Sequence, residues 1–479
     1  MARLLLIKSG NIHTRSMGIT PPLGIMYLAS YARQKRGDES MLMDLRFTKE
    51  PLHDVYNAII NFKPDVVGIS AITLEAELIH HISRITKKIS KSIPVIVGGP
   101  HATTFPEKVL ADERIDIAVI GEGEETFVEL LNTIEHKGSL GNVNGIAYKE
   151  DGVISYTASR PFINQLDALP FPAWDKIDME KYAKVKSGSA TRIRPYMVLF
   201  TSRGCPFRCT YCHNIFGKHF RARSPENVLE EINTLIEKYG IKDFEIMDDT
   251  SNFDKGRLKR ILSMVISLGK DIKLSFPNGI RADIVDEELI KLMRQAGTDE
   301  ITIAIESASP RIQQYIKKNL NLERANKAID MAVNAGMFVK GNFMLGFPTE
   351  TEEEIKATID FACNSRLHVA AFFIVVPFEG TELALQMERE GKIRPIIEYK
   401  DYDYYAMPFN GSAVSDKRFF QLYRHAYVRF YANPARLLRI LKAKPMWRVA
   451  IPMGFRILKY SLFKVKGNKA IELDEVDKI

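Results

Sequence analysis

A chain of 479 residues with 46% hydrophobic and 26% charged side chains is longer than one ordinary domain and has the make-up of globular protein. It holds no apolar run near the ~18 residues that a membrane span needs, and the opening Met-Ala-Arg-Leu-Leu-Leu-Ile-Lys reads as a strand and not as a secretory leader, so the expected location is the cytoplasm. The net charge of +8 is uneven, with no Asp or Glu between Lys417 and Lys469, which confines the basic excess to the C-terminal segment.

Residues 1–140 alternate strand and helix. Arg3–Ile7, Asp65–Ser70, Pro94–Gly98 and Ile115–Ile120 read as buried strands. Gly24–Gln34, Leu78–Ile89, a short piece near Pro106–Ala111, and Glu124–His136 read as helices. Continuous β-branched runs separated by helices predict an α/β fold with a doubly wound parallel sheet. Ligands in such folds sit at the carboxyl ends of the strands, here Ser70, Gly98-Gly99-Pro100-His101 and Gly121-Glu122-Gly123-Glu124.

Residues 141–190 are expected to be a connector, with a hairpin over 144–156 turning at Glu150-Asp151-Gly152 and a Pro-rich stretch at 169–174. A second α/β series occupies 191–400. Its strands are Tyr196–Thr201, Phe244–Met247, Leu274–Phe276, Glu300–Ile305, Val339–Leu345 and Ala371–Val376. Six strands with intervening helices predict a partial (β/α)6 barrel. Residues 401–479 open on Tyr402, Tyr404 and Tyr405 and continue as a helical, basic, apolar-rich region. Its pieces at 436–442 and 455–464 suit either peripheral contact with an anionic membrane or a cap over the barrel mouth. No pattern of a nucleic-acid module is present, so no nucleic acid is expected.

The chain has four cysteines, and three lie in Cys205-Pro-Phe-Arg-Cys209-Thr-Tyr-Cys212, directly after the first strand of the second series. Such clustering is not a disulfide framework and points to metal. Three thiolates on one loop can hold three irons of a cubane and leave the fourth iron without a cysteine. A vacant iron can chelate an amine and a carboxylate, which suits a methionine-type ligand. A zinc site would need a fourth ligand, for which His213 or His219 is at hand.

The loop, with Tyr211 inside it, resembles that of the radical SAM superfamily, and the likeness runs over residues of about 195–385. It implies a [4Fe–4S] cluster on Cys205, Cys209 and Cys212, with S-adenosylmethionine (SAM) on the open iron and its adenine near Tyr211. Asp248 and Asp249 stand where the superfamily meets the SAM amino group, without the glycines usual there. Asn278 and Arg281 could reach the SAM carboxylate or ribose. Glu306 and Gly346 end the next two strands at family SAM contacts.

Pro21-Pro22-Leu-Gly-Ile-Met-Tyr-Leu-Ala, Gly98-Gly-Pro-His-Ala-Thr and Gly121-Glu-Gly-Glu-Glu-Thr together resemble the cobalamin-binding domain fused to one class of these enzymes. The Asp-x-His-x-x-Gly motif of many such domains is missing, so cobalamin is expected base-off without a His ligand. A slot lined by Ser70, Thr73, Gly98 and Gly99 is expected to take the displaced base, with His101, Glu122 and Gly123 at neighbouring strand ends. The alternative is a decayed domain that only packs.

The implied activity is reductive cleavage of SAM and methylation of an unactivated carbon in a small, possibly hydrophobic substrate, with flavodoxin or ferredoxin as electron donor. Oxidative cyclisation, as in the anaerobic magnesium-protoporphyrin ester cyclases, and a non-enzymatic cobalamin or Fe–S sensor stay open. Methylthiotransferases and maturases need further cysteines that this chain does not have.

Overall fold

The computed structural model describes residues 1–10, 19–185, 195–391 and 410–443. Two compact units divide the described residues between positions 185 and 195. His13, Tyr402, Tyr404, Tyr405 and the segment 455–464 lie outside the described residues.

In the first unit β1 (Arg3–Lys8), β2 (Glu39–Asp44), β3 (Val66–Ser70), β4 (Val95–Gly98), β5 (Ile117–Val119), β6 (Ile146–Glu150) and β7 (Val153–Tyr156) form one sheet, ordered β2-β1-β3-β4-β5-β6-β7. It is parallel through β5, and the β6–β7 hairpin closes it antiparallel. Successive strand residues face opposite ways. Leu5, Ile7, Val67, Ile69, Val95 and Val97 pack with the helices Pro51–Phe62 and Ala76–Ile89. Leu4, Leu6, Val66, Ile96 and Val119 pack with Leu23–Arg36 and Glu124–Glu135. Burying an aliphatic side chain contributes roughly 1.5–3 kcal/mol, so the run Leu-Leu-Leu-Ile in β1 anchors the sheet to the helices on both faces.

Two parts of this unit differ from the sequence reading. β2 and the helix Pro51–Phe62 were not expected, and they place the strand-order reversal between β1 and β3. The segment expected as a connector is also, up to residue 185, part of the first unit. β6 and β7 extend the sheet, Trp174 is buried, and Tyr182 donates to Asp44 at 2.7 Å.

In the second unit β8 (Tyr196–Leu199), β11 (Asp243–Ile246), β12 (Lys273–Ile280), β13 (Thr298–Glu306), β14 (Phe338–Leu345) and β15 (Val369–Ile374) form a six-stranded parallel sheet in chain order, the partial barrel expected. A separate two-stranded ribbon pairs β9 (Ser202–Arg203) with β10 (Arg221–Ala222).

The two faces of the barrel wall are chemically distinct. Phe343 meets Phe361 of the helix Glu352–Asn364, and Phe372 meets Tyr427 and Phe430 of the helix Asp416–Tyr431. Phe343, Phe372 and the paired Ile303–Gly341 positions therefore face the helices. By alternation Glu300, Thr302, Ala304, Lys340, Asn342, Met344, Ala371 and Phe373 face the concave side. Barrel interiors are ordinarily filled by Val, Ile and Leu, whereas this one carries a carboxylate, a hydroxyl, an amine and an amide.

The basic helix Pro434–Ala443 packs through Arg436, whose guanidinium donates to the carbonyls of Leu367, Phe430, Cys363 and Ser365. Leu437, Leu438 and Leu441 are exposed. Among the described residues no helix is long and apolar enough to cross a membrane.

Candidate active site

The cysteine loop is held at its base by the ribbon. Ser202 and Arg203 pair with Ala222 and Arg221, so the chain leaves and returns at one point. Gly204 starts the loop with φ 82°, and a Cβ there would lie 2.3 Å from the His219 carbonyl oxygen and 2.9 Å from that of Phe216. Only glycine accepts both conditions. The Cys205 N–H donates to Gly217 at 3.4 Å. The Thr210 N–H donates to Ile316, and the Leu383 N–H to Thr210, at 3.0 and 2.8 Å. Phe207 lies under Arg281, 3.9 Å from its ring centroid, and meets Phe253 edge-on.

Cys205, Cys209 and Cys212 are free thiols, each half-buried. Burial pushes the Cys212 thiol up to about 12, and the neighbouring sulfurs add to this despite Lys218. Burial likewise raises Cys205. Cys205 and Cys212, which resist ionisation as free thiols, become good ligands when a cationic centre compensates their charge. Among the described residues no three His, Cys, Asp or Glu side chains converge on one ion-sized point. A cubane does not ask them to, because each thiolate takes a different iron. The donor set thus fits a [4Fe–4S] cluster.

Around the loop the strand ends contribute unequally. Asp248 is fully buried and accepts from the Thr201 N–H, the Thr201 hydroxyl and the Ser202 hydroxyl, each at 2.6 Å. It anchors the start of the loop and is buried away from any ligand. Asp249 is the carboxylate that faces the cysteines. Its Oδ1 is 3.8 Å from His213 Nε2, and burial raises its pKa.

Arg281, expected at the cofactor, is engaged elsewhere. It donates to both oxygens of Asp283 and to the carbonyls of Lys318 and Asn319. Asn278 donates to the Met247 carbonyl at 2.7 Å, which ties the end of β11 to β12, and its side chain is exposed.

Tyr211, Glu306 and Gly346 do come together. The Tyr211 hydroxyl donates to Glu306 Oε1 at 3.2 Å, and Lys318 Nζ donates to the same oxygen at 3.0 Å. Burial, with the Glu306 charge, holds the Tyr211 phenol well above its usual range. Glu306 adopts φ 65°, where β13 shifts register against β14. The Tyr211 ring centroid lies 6.2 Å from that of Phe347, over an apolar patch with Ile312, Ile316, Val375 and Leu383. Below the Gly346-Phe347-Pro348 turn, Glu350 accepts from the N–H groups of Gly346 and Phe347 at 2.7 and 3.2 Å. Burial pushes its carboxyl up to about 8 against those bonds. Sequence reasoning missed Glu350 and Lys318.

At the strand ends of the first unit the expected slot is partly filled. A Cβ on Gly99, φ 87°, would lie 2.8 Å from Ser70 Oγ and 3.2 Å from the Ala71 carbonyl oxygen, so Ser70 and Gly99 close against one another. His101 is fully buried, 3.4 Å from Thr73 Oγ1, and burial lowers its pKa to about 4. It is a neutral core histidine. Glu122 accepts from the Ile163 N–H at 2.8 Å and fastens the segment after the sheet.

Open space lies elsewhere along the rim. No heavy atom lies within 4 Å of a Cβ on Gly121, and one on Gly98 meets only Val119, at 3.7 Å. Gly123 backs onto Leu28, 3.2 Å from its would-be Cβ. This small-residue rim fits a large ligand at the carboxyl ends of β4 and β5. Ser9 and Gly10, which follow β1 at the strand-order reversal, were not foreseen. The Ser9 N–H donates to Ser70 at 2.9 Å, and the preceding Lys8 is ion-paired with buried Glu75.

Residues 199–362 match the Radical SAM superfamily and residues 12–131 the B12 binding domain. An uncharacterized methyltransferase of Pyrococcus horikoshii is 34% identical over 89% of this chain and 91% of its own. The cytidylyl-2-hydroxyethylphosphonate methyltransferase of Streptomyces wedmorensis is 32% identical over 78% of this chain and 79% of its own. The structure of a radical S-adenosylmethionine methyltransferase of Kitasatospora setae, with cobalamin and a [4Fe–4S] cluster bound, shares the fold at TM-score 0.66 and 17% identity, over 81% of this chain and 75% of that one.

Proposed function

We propose, from the premise that this chain belongs to the radical SAM superfamily and carries a B12 binding domain, that it is an enzyme methylating an unactivated carbon of a small substrate. The observation that carries the reading is the loop of three half-buried thiols, pinned at its base by the β9–β10 ribbon at the mouth of a six-stranded barrel. The names of the two relatives described above, both methyltransferases, support methyl transfer over cyclisation.

When bound, the cluster and SAM supply a carbon-centred oxidant able to take hydrogen from an unactivated C–H bond, and cobalamin supplies the methyl group. The chain's own work is positional. Cys205, Cys209 and Cys212 hold the cluster, and Asp249 accepts from the SAM amino group. Tyr211 presents its ring edge and the Phe347 patch to the adenine, held in place by Glu306 and Lys318. Gly98, Gly121 and Gly123 keep the rim of the first sheet clear for the corrin. His101 is enclosed and neutral, which supports a base-off cobalamin without a histidine ligand from that strand end. We place the enzyme in the cytoplasm with flavodoxin or ferredoxin as electron donor. The exposed Leu437, Leu438 and Leu441 support a peripheral membrane contact.

Anaerobically reconstituted protein with dithionite and SAM should release 5′-deoxyadenosine and S-adenosylhomocysteine together. Release of 5′-deoxyadenosine alone would favour cyclisation, and release of neither would favour a sensor. Cys209→Ala should lose the visible thiolate-to-iron absorbance, and full iron and sulfide in that variant would refute the cluster assignment.

A further inference from the structure

The concave face of the barrel holds a cation that neither the cluster loop nor the fold employs. Lys340 lies in β14, in register with Thr302 of β13 and Val369 of β15. The alternation fixed by Phe343 and Phe372 turns it into the lumen. Among the described residues its ammonium makes no hydrogen bond and no ion pair. Burial lowers its pKa, and the opposing influence is the charge of Glu300. Glu300 sits two residues deeper on β13 and is fully buried.

Two neutral groups beside Lys340 are also unsatisfied. The Thr302 hydroxyl oxygen and Asn342 Oδ1 are buried without hydrogen-bond partners. Ala304 and Ala371, the neighbours in register with Asn342, carry only methyl side chains. An amide can present either end to a ligand.

An ammonium kept in a lumen without a direct ion-pair or hydrogen-bond partner costs stability. So do a hydroxyl and an amide left unpaired beside it. A fold retains such a group where a ligand supplies what is missing. The ligand group that satisfies an ammonium, a hydroxyl and an amide together is an oxyanion. Thr302 lies four residues below Glu306, or about 13 Å along the strand. A small molecule anchored at Lys340 would therefore reach up toward the Tyr211–Glu306 level. A wholly apolar substrate would leave all three groups unpaired.

We propose that Lys340, with Thr302 and Asn342, anchors the substrate, and that the barrel takes a small molecule carrying a carboxylate or a phospho-type oxyanion. The proposal rests on the methyl-transfer reading for the place of the reacting carbon, and the anion site can be tested apart from it.

Calorimetric titration of the cluster- and cobalamin-loaded enzyme with acetate, methylphosphonate and neutral acetamide is the test. One anion or both should bind and acetamide should not, with the stronger of the two identifying the head group. Lys340→Met should weaken that binding about tenfold or more, and Lys340→Arg should keep part of it. Binding of neither anion, or equal binding by Lys340→Met, would overturn the proposal. Lys340→Met should also unfold at the same temperature as the parent or higher, and a clear fall would mark Lys340 as structural and overturn it too. SAM cleavage by the wild-type enzyme, followed in parallel, reports on methyl transfer alone. Its failure with anion binding intact would sink that reading and not this one.

Discussion

Asp248 and Asp249 are neighbours in sequence with opposite employment. Asp248 accepts three hydrogen bonds inside the protein, and Asp249 turns toward the cysteines and His213. Asp248→Asn sets an amide N–H₂ against groups that already donate. It should cost about 2–4 kcal/mol, read as a lower urea midpoint with an unchanged slope. Asp249→Asn should leave that midpoint within about 1 kcal/mol and weaken SAM binding roughly tenfold, seen as a rightward shift of the cluster's spectral response to SAM. The sequence shows a pair of carboxylates but not which one is consumed, because that depends on how the chain turns after Ile246. Arg281 misled for a similar reason. A cation after a strand looks available until Asp283, two residues on, and the Phe207 ring are seen to occupy it.

Among the elements, the cysteine loop was readable because its ligands are contiguous, whereas the ribbon that closes it joins residues nearly twenty positions apart through two short strands without periodicity. Gly204 shows how tightly that closure is built. Gly204→Ala would combine φ 82° with a Cβ 2.3 Å from the His219 carbonyl oxygen, a cost of roughly 1–3 kcal/mol in strain alone. The loop should spread, and the purified variant should carry less iron per chain while keeping its far-UV dichroism. Full iron content would show that the ribbon does not set the loop. β13 carried a signal that went unread. Within it Glu300-Ile-Thr-Ile alternates polar and apolar, which in a barrel strand means a polar lumen. β2, with Met-Leu-Met at its centre and few β-branched residues, gave little strand signal at all.

Across the whole molecule, among the described residues, each unit encloses one neutral imidazole. His101 in the first and His368 in the second both have pKa values lowered to about 4, first by burial. His368 Nδ1 accepts from the Val339 N–H at 3.1 Å and its ring stacks on Phe338, so protonation breaks a bond as well as charging the core. Between pH ~6.5 and ~4 the unfolded chain binds protons that the folded chain refuses. Stability is then complete above the unfolded pKa and is lost as pH falls toward the folded one, by up to roughly 3 kcal/mol per histidine. Apo-protein melts should show the midpoint falling across that window, and His368→Asn should flatten the fall. An unchanged slope in that variant would reassign the acid sensitivity to other groups. The division into two α/β series was plain in the sequence, since each strand run is buried on both faces. The membership of residues 141–185 was not, because β6 and β7 look like an isolated hairpin until β5 offers its edge.

That hairpin gives the enzyme a handle. β6 runs antiparallel to β5, with Val119 opposite Ile146 and Ile117 opposite Tyr148, so its turn at Asp151-Gly152 projects beyond the amino-terminal ends of the parallel strands. The glycine-lined rim is at their other ends. Both turn residues already have positive φ, and space around Gly152 is open. A fluorophore or purification tag grafted there would travel with the first unit and leave its cofactor rim untouched.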